Sequence, residues 1–70
     1  MRNLVEIQKT IIVTGMGFFE VEELAYDLDE RDFTVYEDEE HNCFYIEDNE
    51  TAETLEIQCC GFDVVGINIF

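Results

Sequence analysis

Between residues 20 and 56, acidic residues are laid over a periodic apolar pattern, and this combination limits what the chain can fold into. All of the 18 acidic residues except Glu6 and Asp63 lie there, and Arg31 is the only fixed positive charge in that stretch. A composition this acidic is typical of disordered or fully solvated segments. Apolar residues nevertheless recur there at structural spacing, namely Val21, Leu24, Ala25, Leu28, Phe33, Val35, Phe44, Ile46, Ala52 and Leu55. The pattern predicts a folded domain that carries acid on its surface.

Size and charge narrow the class of protein further. The chain has 70 residues, so residues 1–70 are expected to form one small domain near the lower limit for a self-sufficient core. No apolar run approaches the ~20 residues that a membrane span requires, and no leader-like start is visible, so a cytoplasmic protein is expected. The formal net charge of −15 repels nucleic acid and anionic membranes and attracts basic protein surfaces.

None of the motifs that usually carry chemistry is complete in this sequence. Cys43, Cys59 and Cys60 are an odd number without repeated spacing, so neither a disulfide framework nor a zinc site is expected, and the cysteines should be reduced and mostly packed as small hydrophobes. His41 lies in the most charged loop, where solvation is the simpler interpretation. We therefore expect that the protein is not an enzyme and that it has neither a metal site nor a cofactor.

Two short motifs resemble ligand loops but lack essential positions. Asp27-Leu28-Asp29 is similar to the opening of a calcium loop, yet Arg31 occupies the third ligand position and the required glycine is missing. Gly15-Met16-Gly17 is too short for a phosphate loop and precedes an acidic helix. Neither motif is expected to bind a ligand.

The apolar periods predict six elements in the order βαββαβ. They are a strand over 4–14, a helix over 18–30, strands over 32–38 and 43–48, a helix over 51–60 and a strand over 62–70. Leu55 to Cys59 also alternates, so a strand competes with the second helix. This order is the α+β, ferredoxin-like plan, a four-stranded antiparallel sheet with two helices on one face. The other sheet face would stay open, which suits binding or a homodimer.

The acid falls into two groups on these elements. On a helical wheel, one continuous ridge lies opposite the apolar stripe and is formed by Glu20, Glu23, Asp27 and Glu30. Phe19 and Tyr26 lie beside that ridge, where large rings form a candidate binding edge. The connection between the second and third strands holds the other group, Glu37, Asp38, Glu39 and Glu40.

Carboxylates held at this spacing by a folded domain can imitate the phosphates of a nucleic-acid backbone. Helix neighbours at i, i+3 and i+4 lie ~5–6 Å apart, and a duplex carries one charge per ~1.7 Å of its axis. In size, charge and compactness the chain resembles the small acidic DNA-mimic inhibitors made by phages, of the anti-CRISPR and anti-restriction type. The resemblance rests on no alignable motif. It implies a phage origin and a basic nucleic-acid-binding partner, such as a host nuclease or a CRISPR effector.

A second interpretation fits the same sequence without mimicry. Tyr36 and Tyr45 are expected to share the outer face of the sheet, where they could contact another protein. The chain would then be a non-enzymatic adaptor or dimerisation module. Competition by added DNA or RNA separates the two interpretations, because only a mimic must lose to nucleic acid.

Overall fold

Two helices precede four strands in the computed structural model, which describes residues 3–70. They are α1 (Leu4–Thr14), α2 (Phe18–Tyr26), β1 (Phe33–Asp38), β2 (Cys43–Asp48), β3 (Thr54–Cys60) and β4 (Asp63–Ile69). Each strand pairs antiparallel with the next in one sheet of order β1-β2-β3-β4. The predicted α+β class, with two helices and a four-stranded antiparallel sheet, is confirmed. The predicted order βαββαβ is wrong, because both helices come first and the strands form a meander.

The first correction concerns residues 4–14, which form a helix and not the predicted strand. Alternation and the helical period both fit Ile7 and Ile11, and the many β-branched residues favoured the strand. The helix is fixed at both ends: the Asn3 side chain accepts a hydrogen bond from the Glu6 N–H at 2.9 Å, and Gly15 caps the C-terminus at φ 66°. The buried side chains of α1 are Leu4, Ile7 and Ile11.

The second correction concerns residues 51–60, where β3 replaces the predicted helix. The alternating side chains of β3 enter the core, and the competing strand interpretation was therefore the right one. The Asp48 side chain accepts hydrogen bonds from the N–H groups of Glu50 (2.9 Å) and Thr51 (3.3 Å) in the turn before β3. Gly61 starts the β3–β4 turn at φ 60°.

Both helices cover the same face of the sheet, although the prediction had placed a helix over 51–60 there in place of α1. One core comprises Leu4, Ile7 and Ile11 of α1, Val21 and Ala25 of α2, and Phe33, Phe44, Ile46, Leu55, Ile57 and Cys59 of the sheet. The outer face carries a row of directly opposed residues, Tyr36, Tyr45, Glu56 and Asn68. No described helix packs on that row, so the sheet is open on one side. No helix within residues 3–70 is both long and apolar enough to span a bilayer.

A close backbone contact joins the start of α2 to the β3–β4 turn. The Phe18 N–H donates to the Phe62 carbonyl oxygen at 2.8 Å. A Cβ atom on Gly17 would lie only 2.6 Å from that oxygen. Residue 17 therefore excludes any side chain, although helix N-caps normally favour Ser, Asp or Asn. Gly15-Met16-Gly17, which follows the predicted strand over 4–14, in fact connects two helices and has a packing constraint at Gly17.

Candidate protein-binding surface

Helix α2 exposes the first part of the predicted acidic ridge. Glu20, Glu23 and Asp27 are exposed, with Asp27 as the C-cap residue. Glu30 is not on the helix, which ends at Tyr26, so the predicted helix over 18–30 is too long. The ridge thus comprises three of the four predicted residues.

The early end of α2 has a local cause in the residues that follow it. The Asp29 side chain accepts hydrogen bonds from the Arg31 backbone N–H at 2.9 Å and from its guanidinium at 2.9 Å. The Asp29 carbonyl accepts from the N–H groups of Asp32 and Phe33, both at 3.0 Å. These bonds make a turn, and Glu30 lies exposed within it, where its carbonyl accepts from the Asn49 side chain at 3.2 Å.

The two aromatic residues beside the ridge have different surroundings. Tyr26 is 66% exposed and borders a shallow depression of about 690 Å³. The depression is lined by Met16, Glu20, Glu22, Glu23, Leu24, Tyr26 and Asp27. Phe19 is 58% exposed, but its ring stacks on Phe62 with centroids 5.3 Å apart. The structure therefore places Tyr26, but not Phe19, among the acids of the depression.

Strand β1 brings the second acidic group against α2 through Glu37. Glu37 pairs with Phe44 across the strands, so its side chain lies on the helix-covered face. Burial raises the pKa of the Glu37 carboxyl above its ordinary value, and the carboxyls of Glu22 and Glu39 raise it further. The acids of α2 and of the β1–β2 hairpin are thus neighbours. We call Glu20, Glu22, Glu23, Asp27, Glu37 and Glu39 the acidic face.

The acidic face includes a residue that the sequence analysis missed. Glu22 lies between the apolar stripe and Tyr26 on the helical wheel, and this flanking position was the available signal. Glu22 belongs to the acidic face only because of the position at which α2 packs on the sheet.

The remaining hairpin acids, Asp38 and Glu40, are not among the groups that shift the pKa of Glu37. Asp38 is adjacent to Glu37 in β1 and therefore points to the opposite side of the sheet. Its carboxylate lies 2.7 Å from His41 Nδ1, and this contact lowers the pKa of Asp38. Glu40 is exposed in the turn.

No cation neutralises the acidic face within residues 3–70. The two ion pairs found there join Arg31 to Asp29 at 2.9 Å and His41 to Asp38. Arg31 lowers the pKa of Asp29 by a hydrogen bond and by its charge. Neither pair involves a carboxylate of the acidic face.

The structure also locates the cysteines and the other groups considered for chemistry. Cys43 and Cys59 are buried, as predicted for cysteines packed as small hydrophobes, whereas Cys60 is exposed. Burial raises the pKa of the Cys59 thiol, with a further contribution from Cys43. In the described part of the chain, no three His, Cys, Asp or Glu side chains converge as a metal site would require.

The contact between Glu37 and its acidic neighbours predicts a measurable pH dependence. A raised folded-state pKa means that folded Glu37 holds its proton above its ordinary value of 4.5, so ionised Glu37 opposes folding at neutral pH. We expect Glu37→Gln to raise the free energy of unfolding at neutral pH by about 0.5 kcal/mol. Between neutrality and 4.5, the variant should gain less stability on acidification than the parent.

Chemical denaturation at several pH values tests this expectation. Glu50→Gln, in the exposed β2–β3 turn, is the matched control for loss of one charge. Asp29 and Asp38 have lowered pKa values, so they lose their favourable contributions only below 3.8, outside this window. An unchanged pH profile in Glu37→Gln would contradict the contact between the helix and hairpin acids.

Comparison with known proteins gave no match at any level. No protein-family model, curated protein or solved structure matches the chain.

Proposed function

We propose that this protein is an acidic DNA-mimic inhibitor that occupies the nucleic-acid-binding site of a basic host protein. Nucleases and CRISPR effectors are the partner class that fits this surface best, because they bind nucleic acid through arginine and lysine. One observation carries the proposal: Glu37 lies opposite Phe44 on the helix-covered face of the sheet, where the carboxyls of Glu22 and Glu39 contribute to its raised pKa, so the acids of α2 and of the β1–β2 hairpin are neighbours. The joined surface is larger than that of either element alone.

The spacing of these charges supports an imitation of a duplex. Along α2, acids three and four residues apart stand ~5–6 Å from one another, and Glu20, Glu23 and Asp27 follow this spacing. Glu37 and Glu39 continue the negative surface beyond the helix flank. A groove of arginine and lysine side chains that follows a phosphate backbone would meet a comparable series of charges.

The acidic face destabilises the fold. Its charges are therefore better explained by a binding function than by a contribution to stability. Like charges held together raise the free energy of the compact state. Neither ion pair of residues 3–70 relieves that repulsion in the acidic face. Violations of simple stability rules tend to mark functional surfaces. Electrostatic attraction would mainly accelerate association with a basic partner, and Tyr26 would add an apolar contact that slows dissociation.

A capture experiment with nucleic-acid competition tests the proposed function. The tagged chain is immobilised, exposed to a bacterial lysate and washed, and the captured proteins are challenged with duplex DNA, duplex RNA or poly-glutamate. Duplex should displace a captured basic protein at lower charge concentration than poly-glutamate, because the mimic reproduces geometry as well as charge. A partner that is retained at saturating DNA and RNA would contradict mimicry.

The open sheet supports a second candidate, a non-enzymatic adaptor. Tyr36 and Tyr45 are directly opposed on the uncovered face, and Tyr36 is 55% exposed. Paired aromatic residues on an open face suit a protein contact. In the same capture experiment, an adaptor keeps its partner when nucleic acid is added and loses it in the Tyr36→Ala, Tyr45→Ala variant.

A further inference from the structure

The two edge strands of the sheet differ in how they are protected. β1 carries Glu37 and Asp38, and charge on an edge strand discourages pairing with another chain. β4 has seven residues and a single charge, Asp63, at its start. A bulge lies opposite Gln58 and Cys59, at the Asp63 end, and leaves the other end of β4 regular. That regular end is free of the features that usually block an edge.

The hydrogen-bond pattern shows which backbone groups of β4 point outward. Thr54 and Phe70 exchange both hydrogen bonds, at 3.1 and 2.8 Å. In an antiparallel ladder such pairs alternate with pairs that exchange none. Ile67 and Ile69 lie at the alternate positions, opposite Ile57 and Leu55. Their N–H and C=O groups therefore point away from β3, toward the free edge.

Apolar side chains of α1 stand above this same edge. A groove of about 610 Å³ between the end of α1 and β4 is lined by residues that include Ile12, Met16, Val65 and Ile67. Ile12 is 59% exposed, and Val5 lies seven residues earlier on the same flank of the helix and is also exposed. Lys9 lies between these two residues on the helix flank, and Asp63 lines the groove at the bulged end of β4. Both layers of the fold, sheet and helix, thus end on this side in a mainly apolar surface with little charge.

We propose that this side is a homodimer interface in which β4 pairs antiparallel with β4 of a second copy. The two-fold axis passes through Asn68, so that Ile67 pairs with Ile69 of the other copy. Gly66 then lies opposite Phe70 of the other copy, and an aromatic ring beside a strand glycine is a stabilising pair. The product is a continuous eight-stranded sheet with all helices on one face.

The low charge of this side and the position of α1 above β4 both indicate a second copy of the chain as the occupant. A chain of net charge −15 can approach its own copy only where it carries little charge, and the acids of β1 lie three strands away from β4. The acidic helix α2 begins beside the β3–β4 turn, at the end of β4 opposite to Asn68. Three strand spacings are ~14 Å, beyond the ~8 Å Debye length at physiological salt. A second copy also supplies its own α1, whose Val5 and Ile12 would meet those of the first across the axis. This inference does not depend on the proposed function.

Sedimentation velocity over a wide concentration range measures the proposed dimer. We expect the dimer fraction to rise with protein concentration and with salt, because salt screens the repulsion between copies. Asn68→Lys places two lysines at the axis, where they repel each other. Each lysine can pair with Glu56 of its own chain, so the variant should fold normally. Its dimerisation should be at least tenfold weaker. Thr34→Lys makes a similar change on the outer face of β1 and should leave the dimer intact.

Three further variants test which residues form the interface. Ile12→Ser should weaken the dimer, whereas Val13→Ser should not, because Val13, 82% exposed, points to solvent on the same helix. In a Cys60→Ser background, Asn68→Cys should form a disulfide between copies on mild oxidation, since Cα atoms of such a pair stand ~4.5 Å apart. A chain that stays monomeric at high concentration and salt overturns the proposal. A dimer insensitive to Asn68→Lys and Ile12→Ser does so too.

Discussion

Replacing Glu20, Glu22, Glu23 and Asp27 by their amides is expected to abolish most partner binding and to stabilise the fold. Each exposed ion pair with a basic partner contributes roughly 0.2–1 kcal/mol, so the loss of four amounts to roughly 1–4 kcal/mol, or about 5- to 1000-fold in Kd. Removing like-charge neighbours contributes roughly 0.2–0.5 kcal/mol per pair. Because about 1 kcal/mol shifts Tm by roughly 4–8 °C in a domain this small, the variant should melt several degrees higher.

Salt gives an independent measurement of the same repulsion. At 0.01 M salt the Debye length is ~30 Å, and at 0.15 M it is ~8 Å. The molecule measures 31 × 26 × 21 Å, so at low salt every charge acts on every other, whereas at the higher concentration only neighbours interact. The parent should therefore melt at a higher temperature in 0.15 M salt. The four-site variant should show a weaker salt dependence in both melting and binding.

A charge-matched control separates the acidic face from overall charge. Changing Glu47, Glu50, Glu53 and Glu56 to Gln removes the same charge from the β2–β3 turn and the outer sheet face. This control should also gain stability but should keep most partner affinity. If the folded variant of the α2 acids binds its partner at full strength, the binding surface lies elsewhere, with the open face around Tyr36 and Tyr45 as the next candidate.

Replacing Gly17 by Ala is expected to cost about 1–3 kcal/mol of stability, as overpacking at a rigid contact usually does. The backbone at Gly17, φ −96° and ψ −170°, is one that alanine adopts readily, so the cost is purely steric. The added Cβ would stand 2.6 Å from the Phe62 carbonyl oxygen, and moving that oxygen also lengthens its hydrogen bond with the Phe18 N–H. Chemical denaturation, together with amide exchange at Phe18, measures both effects.

Gly66→Ala is the matched control for this prediction. A Cβ there would meet the flexible end of the Gln58 side chain at 3.1 Å, which can move aside. We expect its effect on stability to be small. If Gly17→Ala is as stable as the parent, α2 is not tightly held against the β3–β4 turn, and the position of α2 relative to β1 needs another explanation.

The sequence alone determined the elements whose apolar spacing fits only one period. Phe44 and Ile46 alternate with Tyr45 and Glu47, and β2 forms over the predicted residues 43–48 with the Phe44 and Ile46 side chains buried. The stripe that includes Val21 and Ala25 fits a helix but not a strand, so α2 begins as predicted at residue 18. The exposure of the acids followed from the cost of burying charge, which acts wherever the chain folds.

Tertiary structure decided the elements for which two periods fit equally well. Ile7 and Ile11 suit a helix stripe and an alternating strand, and Leu55 and Ile57 belong to a similarly ambiguous segment. Each segment adopted the form that completed the core: α1 covers the sheet, and β3 joins it between β2 and β4. Local propensity cannot make that choice, because the free energy comes from burial against residues far away in the chain.

The main feature of the candidate site was likewise set by tertiary packing. Glu22 and Glu37 are fifteen positions apart, and nothing in their local sequence brings them together. They meet because α2 packs across the sheet, with Phe18 against Phe44 at a ring separation of 5.1 Å. The sequence fixes how much acid the surface carries, whereas the docking of one helix decides which carboxylates share a face.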